Sequence, residues 1–112
     1  MSLVITKETK GSAVIIKLAG RLDATTSGEF ERQVVQDIDP GAKVALSLEG
    51  LEYISSAGLR VVLMLGKRLN SGGGKLVLCG LGGMVEEVFK VSGFDKLFTI
   101  VFDLDKALEE LG

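Results

Sequence analysis

The chain has 112 residues, 46% of them hydrophobic, and its 13 basic and 15 acidic side chains give a net charge of −2. This length suits a single domain, residues 1–112, with one hydrophobic core. The charges are well mixed and only 5 Phe and 1 Tyr are present, which argues against direct binding of nucleic acid. Histidine is absent, so the commonest general base and most zinc ligands are missing, and neither an enzyme nor a metal or cofactor site is expected.

The pattern of apolar residues indicates a cytoplasmic protein. The apolar runs are short, far below the roughly 18 consecutive residues of a membrane span, so no membrane association is expected. The N-terminus has no basic lead before an apolar stretch, so no secretory signal is expected. Cys79 is the only cysteine and cannot form an internal disulfide; it lies in a β-rich run and is predicted to be a buried core residue.

The first third of the chain predicts a hairpin followed by a helix. Two β-rich runs, Leu3 to Thr9 and Ala13 to Ala19, are separated by the turn residues Lys10-Gly11-Ser12. Thr26-Ser27-Gly28-Glu29 has the spacing of a capping box, and the helix that it begins is expected to end at Asp39-Pro40-Gly41. The apolar face of this helix is expected to contain Phe30, Val34 and Ile38.

A strand and a second helix follow. Lys43 to Leu48 alternates as a strand does, and a helix is predicted from about Ala57 to Asn70, ending at a run of glycines. The face of this helix that packs on the sheet is predicted to contain Leu59, Val62, Leu63, Gly66 and Leu69. Two interpretations of its other apolar residues stay open: a neighbouring helix covers them, or they form a patch for a partner, rimmed by basic side chains. These residues are Val61, Met64 and Leu65.

The last third predicts a strand at 75–79, a short helix from Gly82-Gly83 to Ser92-Gly93, a strand from Leu97 to Phe102, and a terminal helix capped by Asp103. A hairpin followed by alternating strands and helices predicts an α/β fold. We expect a mixed, mostly parallel sheet of about five strands with about four helices packed against it.

The most informative segment for function is Gly50 to Arg60, predicted to lie where the third strand has ended and the second helix begins. Loops at the carboxyl ends of strands are where binding sites usually form in open α/β sheets. Local chemistry leaves two compatible roles for Ser56: its hydroxyl caps the helix, or it is exposed and accepts a covalent modification. A weaker candidate is the glycine-rich segment Gly80 to Gly83, because Glu86 and Glu87 would repel a pyrophosphate at that helix start.

Three motifs, in this order, resemble those of the sulfate transporter and anti-sigma factor antagonist (STAS) domain family. Ile54-Ser55-Ser56-Ala57-Gly58-Leu59 is similar to the family's phosphorylation loop, Asp-Ser-Ser/Thr-Gly-Leu at a helix start. Gly20-Arg21-Leu22-Asp23 is similar to the family's Gly-x-Leu-Asp after the second strand. Phe89-Lys90-Val91-Ser92-Gly93-Phe94 is similar to its Phe-x-x-Ser-Gly-hydrophobic pattern. The resemblance covers about Leu3 to Leu111, essentially the whole chain.

The resemblance implies an anti-sigma factor antagonist that works by partner switching and is not an enzyme. Such a protein binds an anti-sigma factor that is also a serine kinase, is released by serine phosphorylation, and is reset by a serine phosphatase, which regulates transcription. The family's phosphoserine falls on Ser56, and a monomer or weak dimer is expected. The partner-binding surface is expected to include Asp23, Ser55, Gly58, Leu59 and Arg60.

Two residues depart from the family's phosphorylation loop. Ser55 stands where the family has Asp, which removes a charge and creates a competing phosphate acceptor, while Ala57 removes an alternative acceptor. Two further hypotheses stay open. One is a STAS scaffold or accessory subunit of a signalling or transport assembly, without a phosphorylation cycle. The other is a small enzyme or nucleotide-binding domain.

Overall fold

The computed structural model describes residues 2–112 and contains one five-stranded sheet. The strands lie side by side in chain order: β1 (Leu3–Lys10), β2 (Ala13–Leu22), β3 (Lys43–Ile54), β4 (Lys75–Cys79) and β5 (Thr99–Val101). β1 and β2 form an antiparallel hairpin, and β2 to β5 run parallel. The predicted mixed, mostly parallel sheet is confirmed.

Four helices cover the sheet: α1 (Ser27–Phe30), α2 (Ser56–Ser71), α3 (Gly83–Ser92) and α4 (Leu104–Leu111). Because parallel crossovers are right-handed and β2 to β5 follow one another in order, α1, α2 and α3 lie on one face of the sheet. α4 packs on the other face, and its predicted cap is confirmed, since Asp103 Oδ1 accepts a hydrogen bond of 3.0 Å from Lys106 N. No helix within residues 2–112 is long and apolar enough to cross a bilayer.

The core has two parts, one on each face of the sheet. The larger part lies under α1, α2 and α3 and includes Ile16, Leu46 and Phe89. The smaller part lies under α4 and consists of Ala13, Ala45, Val77, Cys79, Ala107 and Leu111. The predicted burial of Cys79 is confirmed, and this burial raises the pKa of its thiol.

Two strand limits predicted from the sequence are wrong. β3 does not end before Gly50 but continues to Ile54, pairing with a lengthened β2. Gly50 permits this because a Cβ there would lie 3.0 Å from Ala19 Cβ, so the two strands approach closely where their register shifts. β5 is shorter than predicted, since a 3₁₀ turn at Phe94–Lys96 precedes it and only three residues pair with β4.

The first helix is also shorter than predicted. α1 ends at Phe30 and is followed by a π-helical turn at Glu31–Val35, in which Gln36 N donates to Glu31 O at 2.9 Å. The wider turn brings two consecutive residues, Val34 and Val35, into the core. The prediction that a regular helix reaches Asp39 is therefore wrong.

The apolar residues of α2 that had two interpretations are largely covered. The chain from α1 to the π turn packs against α2, and Val61 and Leu65 are fully buried there. Met64 is half-buried against the same core. Coverage by a neighbouring helix is thus the correct interpretation for Val61 and Leu65, and the apolar patch for a partner is not formed by them.

Candidate functional site

The carboxyl ends of β2 and β3 lie side by side because Leu22 pairs with Ile54. Ser55 N extends this pairing by donating a hydrogen bond of 3.0 Å to Leu22 O. Asp23 follows β2 directly and Ser55 follows β3 directly, so two motifs far apart in sequence meet at one edge of the sheet. α1 and α2 both begin at this edge.

Ser55, not Ser56, caps α2. Ser55 has the extended backbone of an N-cap residue, and its Oγ accepts a hydrogen bond of 3.2 Å from Gly58 N. Ser56 is the first helical residue; it is exposed, and its hydroxyl has no hydrogen-bond partner within residues 2–112. The interpretation of Ser56 as the cap is wrong because Ser55 N still pairs with Leu22 O, so Ser55 keeps an extended backbone and the helix begins at the next residue.

Gly58 lets the start of α2 sit directly on the end of β2. A Cβ at this position would lie 2.6 Å from Leu22 O and 2.9 Å from Ile54 Cγ1, so only glycine fits without a shift of the backbone. Leu59 is 5% exposed and belongs to the core. These two residues hold the helix start in place, and both are buried.

Asp23 closes the start of α1. Its Oδ1 accepts hydrogen bonds from Thr25 Oγ1 at 2.7 Å, Thr25 N at 3.0 Å and Thr26 N at 3.2 Å. The Thr25 hydroxyl contributes most to lowering the pKa of Asp23 to about 2, because it stabilises the ionised carboxylate. Asp23 is therefore charged at neutral pH, and its Oδ1 already accepts these three hydrogen bonds.

The capping box predicted at Thr26 to Glu29 does not form. Thr26 Oγ1 accepts from Asp23 N and donates to Arg21 O, each at 2.9 Å, and makes no capping bond to α1. Glu29 instead accepts a hydrogen bond of 2.8 Å from the Gln33 side-chain amide. The prediction is wrong because Asp23 supplies the acceptor at this helix start, which leaves the Thr26 hydroxyl to bind the end of β2.

Arg60 and the free backbone amides make the start of α2 electropositive. Arg60 is exposed and lies four residues after Ser56, so the two share one face of the helix. The first turn of α2 contains no acidic residue, and the amides of Ser56 and Ala57 have no acceptor within residues 2–112. A negative group added to Ser56 would be stabilised by these amides and by the helix dipole.

Sequence reasoning missed Arg21 and Tyr53 as a pair. The two residues lie opposite each other in β2 and β3, and the Arg21 guanidinium carbon sits 4.2 Å from the centre of the Tyr53 ring. Arg21 Nε is also 3.6 Å from Asp23 Oδ2. Arg21 is the variable position of the Gly-x-Leu-Asp motif and Tyr53 directly precedes the motif that begins at Ile54, but the register that joins them requires β3 to continue past Gly50.

Comparison with known proteins assigns the family. The STAS domain model matches residues 4–107. Anti-sigma F factor antagonist of Paenibacillus polymyxa is 32% identical over 113 residues, which cover 99% of this chain and 97% of that protein. A candidate anti-sigma factor antagonist of Bordetella bronchiseptica, BtrV, is 42% identical over 88 residues, which cover 78% of this chain and 76% of that protein. The chain belongs to the STAS domain family.

Solved structures show the same fold. A candidate anti-sigma factor antagonist from Thermotoga maritima superposes with a TM-score of 0.86 at 23% identity, over 96% of this chain and 93% of that one. The phosphorylated form of the Bacillus cell fate determinant SpoIIAA superposes with a TM-score of 0.73 at 21% identity, over 97% of this chain and all of that one. At these identities the likeness establishes the architecture.

Proposed function

We propose that this STAS domain is an anti-sigma factor antagonist that binds an anti-sigma factor with serine kinase activity and is released when Ser56 is phosphorylated. A serine phosphatase then restores the binding form. Support comes from membership of the family, from the names of two relatives, and from a structural neighbour that was solved phosphorylated.

The observation that carries the proposal is the division of roles between two adjacent serines. The Ser55 hydroxyl oxygen accepts a hydrogen bond from Gly58 N, and Ser55 is half-buried, so its hydroxyl is less accessible to a kinase. The Ser56 hydroxyl is exposed and unengaged within the described residues, so a kinase can reach it without unfolding the helix. Ser56 is therefore the better acceptor, although both residues are serines.

Phosphorylation at Ser56 would change binding more than folding. A phosphate adds about −1.5 to −2 charge. In the free protein this charge sits at the N-terminus of a 16-residue helix, which stabilises it. Under a docked partner the same charge loses water and meets the partner's own groups, and a loss of about 3–4 kcal/mol weakens binding by several hundredfold. One modification can thus reverse partner choice while the fold is kept.

The test compares Ser56→Asp and Ser56→Ala by titration calorimetry against the partner kinase, to be sought first among any histidine-kinase-like ATPases encoded beside the gene. We expect Ser56→Ala to bind as the unmodified protein does and Ser56→Asp to bind at least about 100-fold more weakly, a change of roughly 3 kcal/mol. Ser12→Asp is the matched control, since Ser12 is an exposed serine in the β1–β2 turn at the opposite edge of the sheet. Equal affinity of Ser56→Asp and Ser56→Ala would contradict the switch and favour a scaffold without a phosphorylation cycle.

A further inference from the structure

We propose that Arg21, held in place by Tyr53 and Asp23, binds a carboxylate of the anti-sigma factor and so helps to determine which anti-sigma factor the protein accepts. This inference rests on the proposed function, since it names a contact within the same docking surface. It concerns two residues, Arg21 and Tyr53, whose side chains the phosphorylation cycle itself does not use.

The Arg21 side chain is held on two sides and open on the rest. Its guanidinium lies over the Tyr53 ring at 4.2 Å, which fixes the plane of the group from below. Its Nε faces Asp23 Oδ2 at 3.6 Å, which fixes one edge. The side chain is nevertheless 45% exposed, so its outer edge faces solvent in a defined orientation.

The positive charge of Arg21 is only partly satisfied within the protein. A separation of 3.6 Å between Arg21 Nε and Asp23 Oδ2 is too long for a hydrogen bond, and the other oxygen of Asp23 is occupied by Thr25 and Thr26. The terminal guanidinium nitrogens have no hydrogen-bond acceptor within residues 2–112. Their paired N–H donors match the two oxygens of a carboxylate, which arginine binds through two parallel hydrogen bonds.

Arg21 lies at the edge of the sheet where α2 begins. Leu22, the next residue, accepts the backbone hydrogen bond from Ser55, and α2 begins at Ser56. Arg60, four residues after Ser56, is also exposed to solvent. Two exposed cations, Arg21 and Arg60, therefore lie at this edge of the sheet, while Asp23 Oδ1 is bound by hydroxyl and amide donors. This charge pattern complements an acidic segment of the partner.

Preorganisation makes Arg21 a candidate for a large share of the binding free energy. Arginine and tyrosine are enriched among the few interface residues that dominate affinity. A side chain already fixed by stacking and by an ion pair loses little conformational freedom when a partner binds.

The experiment measures affinity and its salt dependence for the partner used with the Ser56 variants. We expect Arg21→Gln to weaken binding by about 30-fold, as truncation of an interface hot spot does, and to flatten the dependence of affinity on salt. Tyr53→Phe keeps the ring under the guanidinium and should stay within about twofold of the unmodified protein, whereas Tyr53→Leu removes the stacking and should cost about threefold or more. Thermal unfolding of each variant, compared with that of the unmodified protein, tests whether the fold is kept.

Lys17→Gln is the matched control. Lys17 is an exposed cation on the same strand, four residues and roughly 13 Å from Arg21, and its removal should change affinity by less than about twofold. If Arg21→Gln binds as well as Lys17→Gln while Ser56→Asp still releases the partner, the inference is overturned and the proposed function stands. A large loss of affinity that is equal in Arg21→Gln and Lys17→Gln also overturns the inference, because the affinity would then depend only on the net charge of the protein. If the unmodified protein does not bind the kinase, both proposals fail.

Discussion

The starts of α1 and α2 lie at the same edge of the sheet but differ in how many side chains form hydrogen bonds there. At α1, the Asp23 carboxylate and the Thr25 and Thr26 hydroxyls bind one another and the end of β2. At α2, a single hydroxyl, that of Ser55, caps the helix and the next residue is left exposed. One start is closed by its own side chains, and the other is open to solvent.

The difference follows from what holds each helix in the fold. α1 has only four residues and a single buried side chain, Phe30, so its position depends on hydrogen bonds at its start. α2 has sixteen residues and buries six of them, so packing holds it and one cap is sufficient. The long helix can therefore leave a serine in its first turn exposed at little cost to the fold.

The largest effect on stability is expected from the same substitution made in both first turns. Gly58→Ala places a methyl group 2.6 Å from Leu22 O and should lower the free energy of unfolding by about 2–3 kcal/mol, the usual cost of overpacking. Gly28→Ala meets only the end of the Arg32 side chain at 3.5 Å and should be neutral or stabilising by up to about 1 kcal/mol. Chemical denaturation measures both, and equal effects would show that α2 does not rest on β2 as described.

A smaller effect is expected from the hydroxyls that close α1. Thr26→Val keeps the shape of a buried side chain but leaves Asp23 N and Arg21 O without their partner, so we expect a loss of about 1–2 kcal/mol. Thr25→Val removes an exposed hydrogen bond to Asp23 and should cost less than about 1 kcal/mol. Denaturant unfolding separates the two variants, and a Thr25 loss as large as that of Thr26 would contradict the role given to the buried hydroxyl.

The smallest effect is a dependence of stability on acid pH. The pKa of Asp23 is about 2 in the folded protein, against 3.8 for an unperturbed aspartate, so its contribution is complete above about pH 4 and is lost as the pH falls toward 2. Unfolding measured between pH 2 and pH 5 should show a shallower fall for Asp23→Asn than for the unmodified chain. Identical slopes would mean that this carboxylate is not stabilised by the turn at α1.

The sequence predicts the order of elements and the start of α2 near Ser56 well, because both depend on local patterns. Alternation located β3, helical periodicity located α2, and Asp103 before an amphipathic run located the cap of α4. The three family motifs placed Ser56 at the start of a helix, where the structure has it.

The details that failed depend on contacts between distant segments. Ser55 and Ser56 are equally good caps by local preference, and the hydrogen bond from Ser55 N to Leu22 O decides between them. The stacking of Arg21 on Tyr53 depends on strand register, which shifts where Gly50 meets Ala19. Neither could be predicted without knowing which strands are neighbours.

The central claim is that the open start of α2 carries the phosphate acceptor, and phosphate transfer tests it most directly. The unmodified chain, Ser55→Ala and Ser56→Ala are each incubated with ATP and the partner kinase, and the modified residue is located by mass spectrometry. We expect one phosphate on Ser56 in the unmodified chain and in Ser55→Ala, the latter less stable by about 1 kcal/mol through loss of its cap, and none in Ser56→Ala. Phosphate on Ser55, or transfer to Ser56→Ala at an undiminished rate, would contradict the account.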